Sequence, residues 1–470
     1  MKNFTIQNVL IPTEDDYANV NVQIQDGKIA QISSDSSSNS NIIGEAIDGK
    51  NKLLLPGFVN AHTHSSEMWQ RGIMSIYPLE LWLAELYDFA PLDTKQVYLT
   101  ALGTAVETLL SGGTTVVDHL VLIPGKELET ITVAVEAYRK VGIRTVIAPL
   151  IQDESITRGI PSGESEVTHE DYFRSTQATL EIMESAIKQF HKPEDGIYFA
   201  LAPTGIQLCS DNLFKGCIEL SNKYNLCRHS HLLETKAQEK LAQEKYGCTA
   251  VEHLNKIGYL NHRTSLAHCV HLTDSDINIL AETQSTVVHN PLSNLRLGSG
   301  IAPILKYRQA GVNVSFGCDG ASSNDSQDLL EAIKIGSILH NVTDLDYQHW
   351  ITPRESIKMA SLGGAKGLDL GEEIGSLTVG KKADLVMYDL TNLSLLPRTD
   401  PVGLLVLGRP TNVVDSVWVN GKQIVGSGTV KNIDIDNLKQ ELFKHSEWQT
   451  KRKSKSVKEI ETHYRKVMGL

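Results

Sequence analysis

The 470-residue chain has little cysteine, a deficit of basic charge and no long apolar run. Its six cysteines, at 209, 217, 227, 248, 269 and 318, include no Cys-x-x-Cys pair. That argues against a disulfide scaffold or a zinc ribbon and makes a reducing cytoplasm the expected compartment. The longest apolar stretches, such as Lys52 to Val59, fall well short of the roughly 18 to 20 residues that span a bilayer. Met1 to Leu10 lacks a basic segment followed by an apolar one, so neither export nor membrane anchoring is expected. Lys plus Arg number 44 against 56 Asp plus Glu, a net charge of −12 that disfavours a nucleic acid polymer as partner. What the chain does have is 41% apolar residues, enough for a substantial core, and 16 histidines, many beside short apolar runs.

The first 55 residues alternate in the β manner: Phe4-Thr5-Ile6, Asn19 to Ile24, an Asp26-Gly27 turn, and Lys28 to Ile32. Ser33 to Asn41 is serine-rich and reads as a solvated loop. β signals return at Asp384 to Tyr388 and at Ser416 to Val425, around an Asn420-Gly421 turn. Residues 1–55 and 369–430 are therefore expected to build one small β-sandwich domain from both chain ends. Residues 431–470 read as a charged, solvated helical tail with a basic cluster at Lys451 to Lys458.

Between the ends, residues 56–368 repeat a short β-branched run followed by a helical stretch. There are eight runs: Leu53 to His62, Thr114 to His119, Ile143 to Leu150, Ile197 to Ala202, Leu226 to His231, Ser265 to Cys269, Thr286 to His289 and Val312 to Gly317. Strands apolar on both faces and alternating with helices point to an α/β fold, a (β/α)₈ TIM-type barrel. An open doubly wound sheet would want a glycine-rich phosphate loop after the first strand, and Pro56-Gly57-Phe58-Val59 is not one.

Chemistry in such a barrel sits where strands end, and here many of the closing residues are histidines. His62-Thr63-His64 ends the first run. With a side-chain period of two, both imidazoles face the barrel mouth and can share a metal ion. The fifth run closes on His229-Ser230-His231 with Glu234 beyond it; His231 is at the rim, and His229 one layer deeper reads as a core hydrogen-bonding residue. The sixth closes on His268. His271 precedes Thr273-x-x-Asp276, a capping box, and reads as structural. The eighth brings Asp319 to the rim between Cys318 and Gly320, beside glycines that permit close backbone approach.

These residues resemble the amidohydrolase superfamily, in the branch of triazine hydrolases and the S-adenosylhomocysteine, guanine and cytosine type deaminases. The resemblance runs through Leu55-Pro56-Gly57-Phe58-Val59-Asn60-Ala61-His62-Thr63-His64, Arg71-Gly72, Ser111-Gly112-Gly113-Thr114-Thr115, His231-Leu232-Leu233-Glu234-Thr235, Ala267-His268-Cys269, His289-Asn290-Pro291, Gly317-Cys318-Asp319-Gly320 and Gly375-Ser376-Leu377 through Ala383-Asp384-Leu385. It implies one divalent metal per chain held by His62, His64, His231 and Asp319, with Glu234, His268 and Asp319 catalytic. Zinc suits that ligand set best, and iron or manganese is compatible with it. The implied reaction is deamination: hydroxide formed at the metal attacks a ring carbon of an aminated purine, pyrimidine, pterin or nucleoside-like heterocycle, and ammonia leaves. A homodimer or larger assembly is also implied.

Two-metal members of the superfamily, including cyclic amide hydrolases, bridge their ions with a lysine after strand four. No lysine occurs between Lys192 and Lys215, which favours the one-metal branch. The deaminase scaffold with His-x-Glu followed by Pro-Cys-x-x-Cys is excluded by the cysteine spacing. A triazine-type hydrolase expelling chloride or an alkylamine, or a cyclic amide hydrolase, stays open as an alternative. The aromatic segment after His64 offers a pocket wall, with Glu67, Trp69, Gln70 and Trp82, and with Asn290 from strand seven, as candidate substrate-binding residues. Arg158 to Glu170 reads as a lid or exposed loop.

Overall fold

In the computed structural model, which describes residues 2–34, 42–89, 91–155, 159–161, 174–446 and 455–470, the apolar run Leu53 to His62 is two strands. Lys52–Pro56 belongs to a nine-stranded mixed sheet, and after a break at Gly57, Phe58–Thr63 opens a parallel sheet with eight strands on its main path and the short Leu150–Ile151 paired beside Ile197–Pro203. The other seven strands of the main path are Gly113–Asp118, Arg144–Ile147, Ile197–Pro203, Cys227–Leu232, Thr264–His268, Thr286–His289 and Asn313–Phe316. Helices lie between them, as in a (β/α)₈ barrel. The eighth strand returns to the first where the Asp319 amide donates to the His62 carbonyl (2.9 Å).

Both chain ends build the second sheet, joined where Leu385–Asp389 runs antiparallel to Lys52–Pro56. The strand pleat decides what each residue does there. Leu54, Leu385 and Met387 face the sheet's own core with Ile6, Val22 and Trp418, whereas Leu53, Leu55, Val386 and Tyr388 point the other way and join the barrel core. Asp26-Gly27 and Asn420-Gly421 have positive φ throughout (52°, 78°, 50° and 72°), as type I′ hairpin turns require. Arg144, at the start of the third barrel strand, ties the two sheets together through a buried ion pair with Asp384 (2.9 Å).

The tail departs from the expectation of a solvated helix. Lys455–Met468 buries Val457, Ile460 and Tyr464 against Leu81, Ala84 and Ile160, and the Ser456 hydroxyl bonds Asp88. These apolar residues recur at helical spacing, a stripe masked in the sequence by the surrounding lysines and glutamates. Most of the expected lid, Arg158 and residues 162–170, lies outside the described residues, as does 35–41 of the serine-rich stretch.

Candidate active site at the barrel mouth

Each imidazole at the mouth has one nitrogen anchored. The Nδ1–H of His64 donates to the His119 carbonyl and that of His231 to the Thr204 carbonyl, both at 2.7 Å. His62 Nδ1 meets His229 Nε2 (2.7 Å), and His229 Nδ1 meets Ser265 Oγ (2.7 Å). With His229 donating to the serine, its Nε2 is the acceptor for the His62 proton. This fixes the tautomers so that Nε2 of His62, His64 and His231 carries a lone pair.

Those lone pairs converge. His64 Nε2 and His231 Nε2 are 3.2 Å apart, a separation at which two acceptors repel unless a cation lies between them. His62 Nε2 is buried and has no hydrogen-bond partner, although Asp319 Oδ1 stands 3.2 Å away. The same oxygen is 3.4 Å from His64 Nε2. Three imidazole nitrogens and a carboxylate oxygen at these spacings can hold a divalent ion and leave it an open position.

The electrostatics agree. Burial holds His62, His229 and His231 well below the usual histidine range. It also depresses His64, but Glu67 and Asp319 outweigh it and draw that ring upward. Burial pushes Asp319 up, and the imidazoles of His62, His268 and His64 overcome it and hold the carboxylate well below its ordinary value. An ionised carboxylate in a dry site calls for positive charge.

Two further groups complete the rim. His268 places Nε2 3.6 Å from Glu234 Oε2 and 3.8 Å from Asp319 Oδ2, with Nδ1 bonded to Asn294 Oδ1 (2.8 Å). Glu234 accepts from Ser299 Oγ (3.1 Å) and is raised to about 7 by burial, partly opposed by His268. His268 and Asp319 both adopt positive φ (73° and 61°), sparsely populated for side-chain-bearing residues and found disproportionately at functional sites. The expected glycine effect is visible: a Cβ on Gly317 would lie 2.9 Å from His62 Cβ, and one on Gly320 1.7 Å from Glu67 Oε2.

The site opens on a cavity of about 470 Å³ whose floor is His64, His231, Glu234, His268 and Asp319. Glu67, Gln70 and Trp82 line it, with Leu83, Leu86, Phe89, Leu122 and Leu150 forming apolar walls. Two expected substrate-binding residues are elsewhere. Trp69 is buried behind the mouth with its indole N–H on the Gln96 carbonyl (3.3 Å), because the 3-10 turn Ser65–Gln70 rotates it away from the cavity. Asn290 is buried beneath, its carboxamide over Gly317, and does not reach the cavity surface.

Sequence reading passed over His119. It follows strand two, stacks on His231 (centroids 4.8 Å) and His64 (5.3 Å), and its carbonyl anchors His64. Its one sequence signal was its place immediately after a strand end. His229 is the hydrogen-bonding core residue expected, and His271 is tied to the Ser299 carbonyl (2.8 Å) as a structural histidine would be. At the end of strand four stands Thr204, whose carbonyl serves His231.

A parallel barrel with imidazoles and an aspartate converging at its carboxyl end is a hydrolase architecture whose mouth groups could hold a metal ion. The chain belongs to the amidohydrolase family, whose sequence pattern matches residues 53–424. It is 33% identical over 403 residues to a 5-methylthioadenosine/S-adenosylhomocysteine deaminase of Caldanaerobacter subterraneus subsp. tengcongensis, covering 85% of this chain and 88% of that one. It is 34% identical over 421 residues to a 5'-deoxyadenosine deaminase of Methanothermobacter thermautotrophicus, covering 88% and 91%. Among solved structures, atrazine chlorohydrolase from Arthrobacter aurescens TC1 complexed with zinc superposes with a TM-score of 0.85 at 25% identity, over 94% of this chain and 99% of that one. An adenosine deaminase from Xanthomonas campestris with bound zinc gives 0.84 at 25% identity, over 94% and 97%.

Proposed function

We propose that the protein is a one-metal aminohydrolase that releases ammonia from an aminated nitrogen heterocycle, with an adenosine-like nucleoside as the best candidate. The observation that carries this is the convergence of three lone-pair-bearing Nε2 atoms and Asp319, with Glu234 and His268 on the same rim. We assign His62, His64, His231 and Asp319 as the ligands of a divalent ion, zinc by preference, since two neighbours in fold are zinc-bound. When bound, the ion would supply Lewis acidity, bringing the pKa of a water towards neutrality.

The protein's own groups divide the proton work. Asp319 accepts a proton from the attacking water. Glu234, held protonated near neutrality by burial, passes its proton to the ring nitrogen next to the attacked carbon. His268, whose Nε2 lies between Glu234 and Asp319, stands beside the oxygen that acquires charge and stabilises it. The proton on Asp319 then goes to the exocyclic amine, the carbon–nitrogen bond breaks as the added oxygen gives its remaining proton back to Glu234, and ammonia departs from a ring carbonyl. Glu67, Gln70 and Trp82 orient the heterocycle against the apolar walls.

The likeness to a zinc-bound chlorohydrolase favours one second reading, the same machinery expelling chloride or an alkylamine. A panel of aminated, chlorinated and alkylaminated heterocycles, assayed with zinc-loaded enzyme for ammonia, chloride and amine, separates the two. Ammonia from an adenosine derivative is the expected result, and chloride or amine release without ammonia would reverse the assignment. We place the barrel, residues 56–368, as the catalytic unit. We read the protein as a cytoplasmic homodimer or larger assembly; its six cysteines are free, as a reducing compartment would keep them.

A further inference from the structure

Asp319 must hold an unusual backbone conformation for its carboxylate to reach His62 and His64. With φ at +61° its Cα–Cβ bond points where an extended residue's would not, a conformation disfavoured for a residue other than glycine. Something must hold it. The amide on its N-terminal side donates to the His62 carbonyl (2.9 Å). Its own carbonyl accepts from Gln327 Nε2 (2.6 Å) and from Thr63 Oγ1 (2.9 Å).

Gln327 is placed for this and little else. It is buried at 1% exposure, beyond the cavity lining, in the loop before Leu329–Ile338. Its Oε1 accepts from Asn60 Nδ2 (3.2 Å) and lies 2.8 Å from Thr63 Oγ1, whose single proton this oxygen shares with the Asp319 carbonyl, both residues being on the first barrel strand, and Asn60 Oδ1 in turn receives the Cys318 amide (3.0 Å). Its backbone N–H is fixed by Glu107 (3.2 Å), which Arg71 grips through two bonds (2.8 and 2.9 Å). The Arg71-Gly72 motif thus has a use: Arg71 braces Glu107, and the Gly72 amide bonds Asp325 (2.7 Å) in the same loop.

We infer that Gln327 is a positioning residue that locks the Asp319 backbone to the strand carrying His62 and so sets the carboxylate for metal binding. This rests on the assignment of Asp319 as a ligand. Removing groups that orient a ligand typically weakens metal binding or activity by about 10- to 100-fold.

The test is zinc affinity of the full chain by chelator competition, measured beside kcat and KM. Gln327→Met keeps the length and loses the side chain's hydrogen bonds to Asp319, Asn60 and Thr63; zinc affinity is expected to fall about 10- to 100-fold and kcat with it, KM staying within about twofold. Unchanged zinc affinity overturns the inference, even if the variant melts earlier. Should Gln327→Met not fold, Thr63→Val removes the other donor to the same carbonyl; a several-fold loss of zinc affinity supports the lock and wild-type affinity overturns it. Zinc affinity that falls as expected in an enzyme releasing no ammonia from any heterocycle would sink the proposed function and leave the lock standing.

Discussion

The buried Arg144–Asp384 cluster and the imidazole cluster at the barrel mouth treat their polar groups in different ways. At the amino-terminal end Arg144 meets Asp384 through Nε (3.1 Å) and Nη2 (2.9 and 3.0 Å), while Asn420 accepts from the same guanidinium (2.6 Å) and donates its amide to Asp384 (2.9 Å). Each of these charges has its partner. At the carboxyl-terminal end His62 Nε2, His119 Nδ1, Asn294 Nδ2 and both polar atoms of Asn290 have none. Buried polar atoms are rarely left unsatisfied, so a cluster of orphans needs an explanation that a paired cluster does not. The Arg144–Asp384 pair is completed by folding, whereas on the proposed reading His62 Nε2 is completed by a cation.

If that contrast is right, damage at the two ends should be read by different instruments. The largest effect belongs to the mouth: stripping the metal should abolish turnover, and Asp319→Asn or Glu234→Gln should lower kcat by about 10²- to 10⁴-fold, the range of lost general acid–base catalysis. Steady-state kinetics would show this, with thermal stability of the Glu234→Gln protein unchanged or higher. Wild-type turnover in either variant would remove the assigned proton roles.

At the junction the expectation reverses. Arg144→Met leaves Asp384 as a buried unpaired charge and should cost about 3–5 kcal/mol, the range for breaking a buried pair from one side. Denaturant unfolding measures it, while kcat per folded molecule stays near wild type. A smaller effect tests whether the deep relay serves the metal. Ser265→Ala frees the His229 ring that orients His62 and should weaken zinc by about tenfold. The mildest is a pH effect. Glu234 works in its protonated form, and burial raises it to about 7, so kcat/KM should decline as pH rises through about 7. A log(kcat/KM) profile flat from pH 6 to 8 would argue against the carboxyl as proton donor.

Much of the mouth could be read from the sequence because barrel chemistry collects at strand ends, and strand ends are where apolar runs stop. His62, His64, His231, Glu234, His268 and Asp319 are each the closing residue of such a run or lie a few residues past it. Glu67, Gln70 and Trp82 follow His64 closely enough to share its cavity, but Trp69 does not, since one residue of helical rotation moves a side chain to another face. His119 was passed over because a single histidine after a β-branched run has no distinguishing pattern. Gln327 gave no signal at all: its partners Asn60 and Thr63 are more than 260 positions away. The tail helix misled in the other direction, its three buried apolar residues diluted by charge.

The sequence alone determined the repeating strand and helix units and the contribution of both ends to one sheet, because periodicity is a local property of a chain, whereas the proposed ligand set came from the resemblance to a family. Tertiary structure decided which imidazole nitrogen is free, which aromatic side chains reach the cavity, and how Asp319 is held in a left-handed conformation. Those depend on hydrogen bonds between segments remote in sequence: the carbonyls of Thr204 and His119, the carboxamide of Gln327, and the small-domain aspartate that Arg144 finds 240 positions away.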